Sequence, residues 1–135
     1  MNKNPIMWHL TENSFPNIPE QIGVYRLYAV QTNGGRISIQ RFAGVDNSGT
    51  LYIGQTTKQN LKKRIYNLLA TIRQNGKTTN HSGALKYKTN NIIRTTLAEH
   101  LLYFDFEVCE NPLDREKELL KDYADKFGEY PPLNK

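Results

Sequence analysis

The chain has 135 residues, 38% of them hydrophobic, with one cysteine and a formal charge of +5. That length suits a single domain, and Cys109 alone excludes an internal disulfide framework or a Cys-based zinc site. No apolar run approaches the ~18–20 residues of a membrane span, and the first residues lack the apolar core of a signal peptide, so a cytoplasmic, intracellular protein is expected.

Residues 1–22 carry Pro5, Pro16 and Pro19 without a sustained period. They read as an arm packed on the domain through Trp8 and Phe15. Residues 23–30, rich in β-branched and aromatic side chains, predict a strand. Asn33-Gly34-Gly35 is a hairpin signal. Ile37, Ile39 and Phe42 then alternate with polar neighbours, as a returning strand does. Asp46–Gly49 is a turn, and residues 50–55 predict a third strand. Leu61, Ile65, Leu68, Leu69 and Ile72 repeat at helical spacing, with Asn60 placed to cap the start. Residues 76–91 read as a polar, basic loop, followed by a short helix from Ile92 to about His100. Residues 101–110 alternate as a strand. Asn111-Pro112 then opens a last helix, with Asn111 as its N-cap, running to about Phe127 and ended by Gly128. The order predicts an α/β sandwich: a small mixed or antiparallel sheet flanked by helices.

Charge is unevenly distributed. No acid lies between Asp46 and Glu99, an interval holding nine of the eighteen basic residues; from Glu99 to Glu129 ten acids face four bases. A basic middle interleaved with Tyr66, Tyr87, Asn and Thr fits a polyanion, and equally a solvated basic helix and loop.

On the last helix, Leu113, Leu119, Leu120, Tyr123 and Phe127 form the apolar face. Glu116 falls on that face, while Glu118, Asp122 and Asp125 point elsewhere. A buried carboxylate is costly unless paired or metal-bound; otherwise Glu116 sits at the helix edge and reaches water or an arginine. Arg64 borders the apolar stripe of the first helix, where a planar guanidinium suits a phosphate or a carboxylate, Glu116 included. Tyr25 and Tyr52 lie inside strands, where tyrosine is most often core. His9, His81 and His100 are scattered, with neither triad nor metal spacing. His81 alone, in a Gly-containing basic loop, is placed to meet a phosphate.

Taken together these residues resemble the GIY-YIG nuclease family. Gly23-Val24-Tyr25 is similar to the first motif, with Val for Ile, and Tyr52-Ile53-Gly54 matches the second. Residues 60–64, Asn-Leu-Lys-Lys-Arg, resemble the stretch leading to the catalytic arginine. Residues 116–120 resemble the helix carrying the metal-binding glutamate, and residues 131–134, Pro-Pro-Leu-Asn, resemble the closing motif. The resemblance covers residues 23–134, with a nuclease domain over 23–135. Three departures stand out. Residues 31–50 look like an inserted hairpin, Arg64 follows Tyr52 at a longer spacing than usual, and Leu68 stands where some members carry a histidine.

The resemblance implies an endonuclease hydrolysing phosphodiester bonds in DNA with Mg²⁺ or Mn²⁺. Glu116 is the implied metal ligand, Arg64 the phosphate clamp, and Tyr25 the group that orients or deprotonates the attacking water. Tyr52 supports Tyr25, Asn134 braces the site, and His81 resembles a histidine of some members. Lys62, Lys63, Arg73, Lys77, Lys86 and Lys88 supply backbone affinity. The alternatives are a catalytically inactive nucleic-acid-binding module and a protein-interaction domain of the same fold. A protein partner or a homodimer for targeting is compatible with either.

Overall fold

The computed structural model describes residues 8–9, 17–73, 87 and 101–134. Its elements are β1 (Trp8–His9), β2 (Gly23–Ala29), β3 (Ile39–Arg41), β4 (Gly44–Asp46), β5 (Thr50–Thr56), α1 (Leu61–Arg73), β6 (Leu102–Val108) and α2 (Pro112–Phe127). Four strands form one sheet in the order β1-β6-β2-β5, and β3-β4 form a separate hairpin. Every described pairing is antiparallel, so of the two sheet types expected, the antiparallel one is observed.

Alternation along β2 sets the layers, because successive side chains leave a strand on opposite faces. Tyr25, Leu27 and Ala29 join Leu61, Ile65, Leu68, Leu69 and Ile72 of α1 in the main core, which Ile18, Leu102, Phe104 and Leu133 complete. Each such Leu or Ile contributes roughly 1.5–3 kcal/mol by leaving water. Asn60 caps α1 as its type suggests, with Oδ1 accepting from Lys63 N at 2.8 Å. The Leu61 N–H donates to Gln21 O at 2.8 Å, tying the start of the helix to the start of β2.

The opposite face carries Arg26 and Tyr28, and α2 lies over it. Arg115 of α2 donates to Glu107 of β6 at 2.9 Å, and Tyr123 Oη donates to Asp46 Oδ2 at 2.7 Å. The helix stops where expected: Gly128 takes φ +77°, and its N–H donates to Ala124 O at 2.7 Å.

Three local expectations change, and one strand of the 1–22 arm was not expected at all: Trp8–His9 pairs with β6, while Ile18 of the same arm is buried in the core. Two residues cannot show a period, which is why that strand is silent in the sequence. Phe42 sits at the β3–β4 turn and is 86% exposed, because the turn breaks the alternation that placed it inward. Asn111 makes no side-chain cap; Pro112 at the first helical position removes one orphan N–H, and the Asn111 carbonyl accepts from Arg115 N. Leu113 is exposed, and among α2 residues only Pro112 and Tyr123 are buried.

The predicted loop over 76–91 and the short helix from Ile92 lie outside the described residues except for Tyr87, which is buried. No described helix is long and apolar enough to cross a membrane.

Candidate active site

Tyr25 leaves the centre of β2 toward α1 and is 1% exposed. Opposite it on β5 stands Gly54. A Cβ built there lies 2.5 Å from Tyr25 Cζ, 2.6 Å from its hydroxyl and 2.7 Å from Tyr52 Cε2. Only glycine leaves room for the Tyr25 ring to lie across β5. The Tyr25 and Tyr52 ring centroids are 6.1 Å apart at an interplanar angle of 40°. Gly23 is required as strictly, since a Cβ there meets Glu107 O at 2.1 Å.

Arg64, half-buried one turn into α1, donates from Nε to Tyr25 Oη at 3.3 Å. The helix border thus delivers the guanidinium to the phenol at the sheet's centre. Burial pushes the Tyr25 hydroxyl well above the ordinary tyrosine range, and the neighbouring Tyr52 adds to this. Arg64 opposes both without overcoming them. Deprotonation of water by Tyr25 at neutral pH is therefore disfavoured: the phenol holds its own proton, and its oxygen serves as a hydrogen-bonding group.

Asn134 works on the backbone. Its Oδ1 accepts from Ile53 N at 3.0 Å, and its Nδ2 donates to Ile53 O at 2.9 Å. Leu133 N donates to Leu51 O at 2.8 Å. The closing Pro-Pro-Leu-Asn segment therefore pairs along the outer edge of β5 and holds the strand that carries Tyr52 and Gly54.

Glu116 lies apart from this group, on α2 and so on the side of the sheet away from Tyr25 and Arg64. It is half-buried rather than buried. Burial raises its carboxyl above the usual range, and the adjacent Lys117 pulls the other way. None of the ion pairs among the described residues includes Glu116, so the Arg64–Glu116 pair is not formed. β5 is the outermost strand of the sheet on this side, and the closing segment lies along its outer edge.

A divalent cation fits one feature of this set. Among the described residues no group of three His, Cys, Asp or Glu gathers, and Glu116 is a half-buried carboxylate that forms no ion pair there. Mg²⁺ accepts a single carboxylate, because it keeps several of its own waters.

Lys63 is exposed at the start of α1, and Lys62 lies 3.9 Å from Glu20. Arg73 ends α1. His81, Lys77, Lys86 and Lys88 lie outside the described residues, as does the rest of the basic loop.

Sequence reasoning missed two buried carboxylates. Asp105 is 3% exposed and sits opposite Arg26 across β6 and β2. It accepts from Arg26 Nε and Nη2, each at 3.0 Å, and from Tyr28 Oη at 3.0 Å. Asp46 is 1% exposed and accepts from Tyr123 Oη, Ser48 N and Ser48 Oγ. A signal for the first was present: Arg26 and Asp105 each interrupt an apolar strand with opposite charge. Comparison with protein-family models, curated proteins and solved structures finds no match to this chain.

Proposed function

We propose that this chain is a GIY-YIG-type endonuclease that hydrolyses phosphodiester bonds in DNA with a divalent metal, inside the cell. The observation that carries the reading is the Arg64–Tyr25 contact at 3.3 Å, beside Tyr52 and above Gly54. It brings three separated motifs to one place on the sheet. Five motifs in family order along the chain add to it.

Arg64 clamps the scissile phosphate and stabilises the charge that grows on it as the oxygen of water bonds to phosphorus, giving its proton to solvent, while the bond to the leaving oxygen breaks and that oxygen takes up a proton from solvent. Tyr25, keeping its proton, fixes the guanidinium through its oxygen and orients the phosphate or the water. Tyr52 backs the Tyr25 ring, and Asn134 holds β5 in register. Glu116 holds Mg²⁺ or Mn²⁺, which supplies charge neutralisation and Lewis acidity when bound. Substrate is held by Arg64 from one face of the sheet and by the metal on Glu116 from the other. Lys62, Lys63 and Arg73 on α1 add phosphate affinity, as do Lys77, Lys86 and Lys88.

The near-complete burial of Tyr25 favours one second reading, a nucleic-acid-binding module that does not cleave. Supercoiled plasmid incubated with and without Mg²⁺ separates the two. Metal-dependent nicking supports the nuclease, whereas salt-sensitive retention of intact plasmid supports the binder.

A further inference from the structure

Gln55 carries a buried acceptor that nothing satisfies. Its Oε1 is shielded from water and takes no hydrogen bond among the described residues. A carbonyl stripped of water and left unbonded is a cost to the fold, so such an atom calls for a partner.

Strand register places it. Gln55 stands opposite Val24 on β2, and Val24 stands opposite Glu107 on β6. Val24 leaves β2 on the face away from Tyr25, so this row of three lies on the face that α2 covers. The next row is Asp105, Arg26 and Ile53. Arg115, near the start of α2, donates to Glu107 of the first row. Leu119, one turn later, lines a cleft with Arg26 and Ile53 of the second. Glu116 therefore falls between the two rows along the helix. Across the helix, Arg115 leans toward β6. Glu116 is turned from it by about 100°. The buried Pro112 and Tyr123 lie between those two directions, so Glu116 leans the other way, toward β5. The polar side chain of β5 in that stretch is Gln55.

A carboxylate outside any ion pair among the described residues and a carbonyl without a donor thus share one part of the α2–β5 interface. An ionised carboxylate and an amide carbonyl both accept, so neither satisfies the other. A hard cation satisfies both, since its ligands are oxygens of these two kinds. We propose that the Gln55 side-chain carbonyl is a second protein ligand of the divalent cation held by Glu116. This rests on the proposed assignment of Glu116 as the metal carboxylate, and it does not require that the chain cuts DNA. Two protein oxygens leave Mg²⁺ or Mn²⁺ its remaining positions for water and phosphate. Gln55 directly follows Gly54, so the strand that makes room for Tyr25 on one face presents the ligand on the other.

Titration of the intact chain with Mn²⁺ in the absence of DNA, read by loss of the free-ion EPR signal, tests it. Wild type should bind one ion saturably, and Glu116→Gln should abolish this. Gln55→Met keeps the side-chain length and removes the carbonyl. It should weaken Mn²⁺ binding about tenfold, as loss of a group from a metal's ligand environment does. Without metal it should melt no lower than wild type, because the unbonded acceptor leaves with the substitution. Gln55→Glu should bind Mn²⁺ more tightly than wild type, because added carboxylate charge raises affinity. The proposal is overturned by unchanged Mn²⁺ affinity or a lower metal-free melting temperature in Gln55→Met, or by weaker binding in Gln55→Glu. Binding that survives Glu116→Gln, or no binding by wild type, overturns it too. The expected dependence on both residues in a chain that fails to nick plasmid would support the proposal and overturn the nuclease reading alone.

Discussion

The two faces of the sheet treat their charged groups differently. On the α2 face both buried carboxylates are saturated: Asp105 by Arg26 and Tyr28, and Asp46 by Tyr123 and Ser48. The bonds are 2.6–3.0 Å long, and nothing is left to react. On the α1 face the contact is longer, a 3.3 Å bond from Arg64 to a phenol whose proton burial holds in place. Glu116, half-buried at the margin of the α2 face, takes part in no ion pair among the described residues. A network of satisfied buried charges rigidifies a fold. A guanidinium at a phenol and a partly desolvated carboxylate outside any ion pair among the described residues are the groups a reaction can use.

The sharpest break between the two kinds of carboxylate is Glu116→Gln. Cleavage should fall to background, while the fold holds. Because burial raises the folded pKa of Glu116, its favourable contribution to stability is present below the unfolded pKa and lost as pH rises through the folded one. The metal-free Gln variant should therefore melt no lower than wild type at pH 7, with any gain vanishing near pH 4, the ordinary glutamate range. A large fall in melting temperature at pH 7 would make Glu116 a structural group.

Asp105→Ala is the converse. It leaves the buried Tyr28 hydroxyl and the partly exposed Arg26 without their partner and should cost about 3 kcal/mol in urea unfolding, the lower end for a broken buried pair. Cleavage per folded molecule should change little.

Gly54→Ala puts a methyl into the Tyr25 ring, and the expected loss is about 1–3 kcal/mol of stability with a larger proportional loss of cleavage. Unfolding curves and single-turnover cleavage of the same preparation would check both. The smallest effect belongs to Lys63→Ala, which should weaken DNA binding slightly and lower the slope of log affinity against log salt by about one unit.

How much of this was legible in the sequence follows from where the information lies. β2, β5, α1 and α2 were readable because each carries a full period of apolar residues. Arg64 was readable as a border residue, since helical spacing alone puts it beside Leu61 and Leu68. The two-residue β1 carries no period, and Phe42 was misplaced because alternation ends at a turn that only the β3–β4 pairing reveals. The Arg26–Asp105 pair was hidden for another reason: it joins residues 79 apart in sequence, and only strand register sets them opposite. That Glu116 would lie on the sheet face away from Arg64 was equally out of reach, because helical spacing gives a residue's own face and not the layer its helix covers.

Tyr25 and Tyr28 test the account most directly, being two hydroxyls on one strand that point to opposite faces. Single-turnover cleavage of plasmid at saturating Mg²⁺ should fall about 10²–10³-fold for Tyr25→Phe, the range for losing one preorganised polar group at a reacting centre. Tyr28→Phe removes one hydrogen bond from Asp105 and should lower stability by about 1 kcal/mol while leaving the rate unchanged. Equal rates for Tyr25→Phe and wild type, or a collapse of cleavage in a folded Tyr28→Phe, would contradict the assignment of the Tyr25–Arg64 face as the reacting site.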